Sequence, residues 1–95
     1  MGRTARSFDA FGGAQAHRLE GVAVQPNGDV WVSDTSRNRL LEYSSSGAFL
    51  QSFGSSGTGH GRFNLPAHLE ILPGTPDLLF VVDQWNDRIE VFDIG

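Results

Sequence analysis

Apolar and polar residues alternate in short runs along the chain, and turn-forming residues separate the runs. This two-residue alternation predicts β-strands, and no long stretch has the three-four spacing of an amphipathic helix. Eight strands are predicted, near residues 5–11, 21–25, 30–34, 39–44, 49–54, 68–72, 78–83 and 88–93. The segments 26–29 and 46–47 have hairpin-turn composition. The Gly- and Ser-rich segment 54–61 is predicted to be a loop.

The chain contains an internal repeat. Asp34 and Asp83 are 49 residues apart, Val22 and Leu69 are 47 apart, and the offset at Phe11 is 42. The growing offset places five extra residues in the 55–60 loop and two in the 73–76 turn. Insertions that fall in loops and spare the strands are what a structural repeat should show. The 54–61 segment is therefore a loop within a repeat and not a linker between two domains.

The repeated residues resemble the NHL repeat from about residue 8 to residue 95. The first copy carries the pattern at 21–24, 28–34, 38–39, 43 and 49–54, and the second at 63–66, 82–83 and 87–92. Leu19 departs from the pattern, which has proline there, and His68 and Glu70 replace small residues. The resemblance implies an all-β fold of four-stranded antiparallel β-propeller blades, six of which commonly form a ring.

The whole chain, 1–95, is then one two-blade unit, with blade one at 17–54 and blade two at 63–95. A blade packs face to face between two neighbours, so two blades alone leave two apolar faces open. Leaving several hundred Å² of apolar surface in water would forfeit on the order of 10 kcal/mol, which is comparable with the whole stability of a small domain.

The strand order suggests how the open faces are covered. Residues 5–11 align with the outer strand at 49–54, whereas blade two ends after its third strand. In a ring, the 5–11 strand of one chain would complete the last blade of the next chain, a head-to-tail contact that can close. Three chains give six blades, so we predict a homotrimer, with a homotetramer of eight blades as the alternative. Arbitrary excision from a longer propeller is a further alternative, against which the in-phase boundaries argue.

Two acid–base pairs recur at a spacing of five residues across a turn, Asp34 with Arg39 and Asp83 with Arg88. This spacing suits a cross-strand ion pair or a carboxylate that accepts hydrogen bonds from turn amides. Because both repeats carry the pair, a structural role is favoured over an anion-binding rim.

His17 and His68 lie near the start of the innermost strands, which line the central channel of a propeller. The chain is also similar, more weakly, to peptidyl-hydroxyglycine amidating lyases, which resemble NHL propellers and hold zinc with histidines from different blades. In a ring, copies of His68 would surround one axis, and three imidazoles with water form a workable zinc shell. The alternative is a ring of polar side chains around a water-filled channel.

The charge and the motifs of the chain disfavour several classes of function. The net charge of −4 argues against nucleic acid or an anionic membrane as partner, and no apolar run approaches a membrane span. No nucleophile–base–acid set or phosphate loop can be assembled. We therefore expect a self-assembling scaffold without catalytic activity or cofactor. A protein-, peptide- or glycan-binding module is the first alternative, with Trp85 and His17 as contact residues, and a zinc-dependent lyase-like propeller is the second.

Overall fold

The computed structural model describes residues 7–9 and 18–95, and within them the regular elements are β-strands and two short 3-10 turns. The strands are β1 (Leu19–Val24), β2 (Val30–Asp34), β3 (Arg39–Tyr43), β4 (Phe49–Phe53), β5 (Ser55–Ser56), β6 (Arg62–Phe63), β7 (Pro66–Leu72), β8 (Leu78–Asp83) and β9 (Arg88–Asp93). The prediction of an all-β fold with antiparallel sheets is confirmed. No helix among these residues is long and apolar enough to cross a membrane.

The first sheet has four antiparallel strands in the order β1-β2-β3-β4. The β1–β2 hairpin turns at Gly28, whose φ of 93° is in the region that favours glycine. Strand β2 has its predicted bounds, and β3 and β4 each end one residue before theirs. Strand β1 begins at Leu19, two residues before the prediction, because Leu19 pairs with Asp34 across a register shift.

In residues 7–9 and 18–95, the second sheet has three antiparallel strands in the order β7-β8-β9, so β9 is an edge strand there. Strands β8 and β9 have their predicted bounds. Strand β7 begins at Pro66, two residues before the prediction, because Pro66 pairs with Asp83 across a register shift that precedes Leu69. The two sheets share this irregularity at the same position, as repeated units should.

The prediction that residues 54–61 are entirely a loop is wrong for residues 55–56. Strand β5 lies within this segment and pairs in parallel with β6. The chain can turn back between them because Gly57 and Gly61 have positive φ values of 144° and 74°. The backbone N–H of Gly57 then donates to the carbonyl of Phe63 at 3.0 Å.

The strand predicted at 5–11 lies largely outside the described residues. Its described part, residues 7–9, forms no strand within the single chain. Phe8 packs there on Tyr43 of the first sheet, with 5.0 Å between ring centroids. The pairing of this segment with another copy stays a prediction.

The main core lies between the two sheets. Its buried members are Trp31 and Leu40 from the first sheet, Leu69, Leu79 and Val81 from the second, and Phe63 from β6. Strands β1 and β7 approach so closely that a Cβ at Gly21 would overlap the carbonyl oxygen of Ala67. A second cluster, formed by Val32, Leu41 and Tyr43, lies on the opposite face of the first sheet.

Candidate functional site

The Asp34–Arg39 pair spans the 3-10 turn between β2 and β3. The two residues are opposite each other in the antiparallel register. The Nε of Arg39 lies 2.7 Å from Oδ2 of Asp34, whose side chain is fully buried. A buried carboxylate needs such a charged donor, because its desolvation would otherwise be unfavourable. The structure thus brings this predicted pair together inside the fold.

The Asp83–Arg88 pair has the same place in the second sheet, with Nε of Arg88 3.0 Å from Oδ2 of Asp83. Asp83 also accepts the N–H of Asn64 at 2.7 Å. The guanidinium donates further to the carbonyls of Gly59 at 2.9 Å and Arg62 at 2.7 Å, and to that of Thr58. The contacts of this pair therefore hold the segment that connects the two sheets.

His68 lies on β7, exposed, with Nε2 at 3.3 Å from Oε2 of Glu70. Across the described parts of the chain, no three His, Cys, Asp or Glu side chains are grouped so that they could hold a metal ion. An axial zinc site would have to take one histidine from each of several copies, and it stays a prediction. His17 lies outside the described residues.

Trp85 lies in the 3-10 turn Gln84–Asn86 between β8 and β9. Its side chain is 70% exposed, and its backbone N–H donates to the carbonyl of Asn64 at 3.1 Å. The turn is thus anchored by its backbone while the indole faces solvent. A role for Trp85 as a contact residue stays a prediction.

A polar network that the sequence does not indicate joins the sheets at Gln25. Its Oε1 accepts from the indole Nε1 of Trp31 at 3.1 Å, and its Nε2 donates to Asp77 at 3.2 Å and to the carbonyl of Ile94 at 3.0 Å. These partners are up to 69 residues away in sequence, so no local pattern could have indicated them.

A cleft of about 480 Å³ opens between the sheets, lined by Trp31, Glu42, Phe53 and Phe92 among others. Burial raises the pKa of Glu42 above its ordinary value of 4.5, and the neighbouring Asp29 carboxylate raises it further. A hydrogen bond from Nε2 of Gln51 at 2.7 Å acts in the opposite direction. The cleft therefore holds a carboxyl group whose pKa lies above its ordinary value.

Among the described residues, exposed apolar side chains are concentrated on the outward faces of the two sheets. We call them the β1 face, on the first sheet, and the β9 face, on the second. The β1 face includes Leu19, Val22 and Val24, and the β9 face includes Leu72, Ile89 and Val91. Apolar surface concentrated in this way is typical of an interaction site. These two faces are the candidate functional site.

The repeat relates these faces to the interface already present in the chain. Leu40 and Leu69 belong to the core between the sheets, where they are 0% and 2% exposed. Their repeat equivalents, Ile89 and Val22, are 64% and 62% exposed on the β9 and β1 faces. The two faces are thus the repeat equivalents of the two surfaces that pack together between the sheets of one chain.

Comparison with known proteins finds similarity to the NHL repeat. The NHL repeat family model matches residues 17–43, which include β1, β2 and β3. The chain is 33% identical over 73 residues to human NHL repeat-containing protein 3, a match that covers 74% of this chain. It spans only 20% of that relative's length. With the repeated sheets described above, the chain carries an NHL repeat at residues 17–43 and is similar to an NHL-repeat protein.

Proposed function

We propose that this chain is a β-propeller-type interaction module whose partner is a second copy of itself. The β9 face of one chain covers the β1 face of the next, and the head-to-tail contact closes into a ring. Three chains supply six blades. The human relative is named for its repeats and not for a reaction. In this proposal the function of the chain is to assemble with copies of itself.

The observation that carries the proposal is the exposure of Ile89 and Val22 at positions where Leu40 and Leu69 are buried. A second copy would bring Ile89 and Val22 into one core, as Leu40 and Leu69 are within one chain. Full burial of an exposed apolar side chain stabilises the associated state by about 1.5–3 kcal/mol. Several such residues on each face provide a driving force for association.

Strand exchange completes the ring in this proposal. Within the described part of the chain, β9 is a free edge of the second sheet, and an open edge offers unpaired backbone groups to another strand. The segment 5–11 repeats the sequence pattern of β4, which occupies the equivalent edge of the first sheet. We therefore assign residues 5–11 of the next chain to the position beside β9.

The test is a charged substitution on the β9 face. Ile89→Lys adds a positive charge at a side chain that is exposed in the single chain, so the fold of one chain should survive. We expect it to shift the assembly to monomers in sedimentation velocity. Ser46→Lys adds the same charge in the exposed β3–β4 turn, at a residue that belongs to neither face, and should leave assembly intact. An unchanged assembly with Ile89→Lys would contradict the proposal.

A further inference from the structure

The junction between the two sheets contains a specific polar contact. The side-chain Oδ1 of Asn38, in the turn before β3, accepts the backbone N–H of Leu65 at 2.7 Å, just before β7. Both residues have left-handed backbone conformations, with φ of 56° and 58°. We call this contact, between the turn of one sheet and the entry to the next, the latch.

The repeat supplies equivalents of both latch residues, one directly before β1 and one directly before β9. We call these two positions the open ends. Asp87 is 49 residues after Asn38, and Arg18 is 47 residues before Leu65. Their φ values, 50° for Asp87 and 71° for Arg18, are also left-handed. The backbone geometry of the latch is therefore already present at each open end.

The surroundings of Arg18 support its equivalence to Leu65. The carbonyl of Arg18 accepts the N–H of Thr35 at 3.0 Å, and the carbonyl of Leu65 accepts the side-chain Nε2 of Gln84 at 3.2 Å. Thr35 and Gln84 are themselves repeat equivalents, 49 residues apart. The carbonyls of Arg18 and Leu65 thus accept hydrogen bonds from equivalent residues, from the backbone of Thr35 and from the side chain of Gln84.

The internal and open latches differ in charge. The internal latch is neutral, with Asn38 facing Leu65, whereas the open ends carry an acid, Asp87, and a base, Arg18. A carboxylate is a stronger acceptor for a backbone N–H than an amide. The Arg18 guanidinium would also attract the Asp87 carboxylate. The two open ends are therefore complementary in charge.

We infer that Asp87 of one chain and Arg18 of the next form a charged latch that selects another copy of this chain as the partner. This inference rests on the proposed self-assembly. In the single chain the Arg18 side chain is 65% exposed and contacts Glu20 at 2.7 Å. An exposed pair of this kind contributes little, so Arg18 can exchange Glu20 for Asp87.

The test compares Arg18→Asp with the neutral double variant Arg18→Leu/Asp87→Asn, which copies the internal latch. Aspartate tolerates the left-handed conformation at position 18, so folding should be retained. Arg18→Asp places two carboxylates together and should weaken assembly by about tenfold or more. The double variant should assemble, but without the loss of affinity that the wild type shows between about 50 and about 500 mM salt. Arg37→Asp, which makes the same charge change at an exposed turn, is the control.

The outcomes separate the latch from the assembly. If wild-type chains assemble and Arg18→Asp assembles with unchanged affinity, the latch is wrong and the assembly stands. If the double variant keeps the full salt dependence, the charges act elsewhere and the latch is also wrong. Wild-type chains that do not associate at low salt would overturn the assembly, and the latch with it.

Discussion

Gly21 of β1 lies directly against the backbone carbonyl of Ala67 in β7, so that a methyl group at position 21 would overlap the carbonyl oxygen. The overlap is with backbone, which cannot move aside as a flexible side chain could. The close approach of these innermost strands brings Leu69 and Trp31 into one core. A single glycine therefore sets how tightly the two sheets pack.

Gly21→Ala should destabilise the fold. Overpacking in a close-packed interior typically costs about 1–3 kcal/mol, and backbone contacts place this site toward the upper end. Urea unfolding followed by tryptophan fluorescence measures the change. Gly59→Ala is the matched control, because a Cβ there meets only the Arg62 side chain at 3.7 Å. It should change stability by about 0.5 kcal/mol or less. Equal effects of the two substitutions would contradict the role of Gly21.

Arg88→Met should release the segment that connects the sheets. It removes the donor to the buried Asp83 and the donors to the carbonyls of Thr58, Gly59 and Arg62. Breaking a buried pair by removing one partner costs about 3–5 kcal/mol, and the partial exposure of Arg88 reduces this to about 2–4 kcal/mol.

Hydrogen exchange should show faster exchange at residues 55–63 in Arg88→Met, together with the loss of stability. Arg62→Met is the control, because the exposed Arg62 accepts through its backbone carbonyl, which the substitution retains. Arg88→Met with wild-type exchange in this segment would show that other contacts hold it.

Glu42 should make the protein less stable as pH rises. Its pKa is raised in the folded state, so the folded chain binds more protons than the unfolded chain above pH 4.5. Stability then falls with rising pH until the folded-state pKa has been passed. Glu42→Gln removes this titration while keeping a side chain that can bond to Gln51. Relative to wild type, the free energy of unfolding of Glu42→Gln should therefore increase as the pH rises from 4.5 toward neutrality. A constant difference would contradict the raised pKa.

Deletion of residues 1–11 should prevent assembly, because the last sheet would lose the strand that we assign beside β9. The deletion also removes the contact of Phe8 with Tyr43. Phe8→Ala in the full chain removes that ring contact but keeps the backbone of the exchanged strand, and it should still assemble. If the shortened chain forms the same assembly as the full chain, strand exchange is wrong.

The sequence predicted the strands closely because their signals are local. Alternation, turn glycines such as Gly28 and the 49-residue spacing of Asp34 and Asp83 located β2, β8 and β9. The early starts of β1 and β7 were missed because they depend on register shifts that Leu19 and Pro66 accommodate. Such shifts arise from pairing with a distant strand and leave no local signal.

The candidate site was predictable in outline only. The repeat indicated that two blade faces would be open, and it located the acid–base pairs. The latch was not visible in the sequence, because it requires the side chain of Asn38 to reach an amide 27 residues further along the chain. Gln25 was missed for the same reason, since its partners come from both sheets.

The mass of the native assembly tests the central claim most directly. Sedimentation equilibrium of the 10.3 kDa chain over a wide range of concentration should show one closed species of about 31 kDa, three chains in a ring. A species of about 41 kDa would keep the pairing of the faces and change the number of blades to eight. A folded monomer that unfolds cooperatively and stays at 10.3 kDa at every concentration would contradict the claim that copies of this chain cover the β1 and β9 faces.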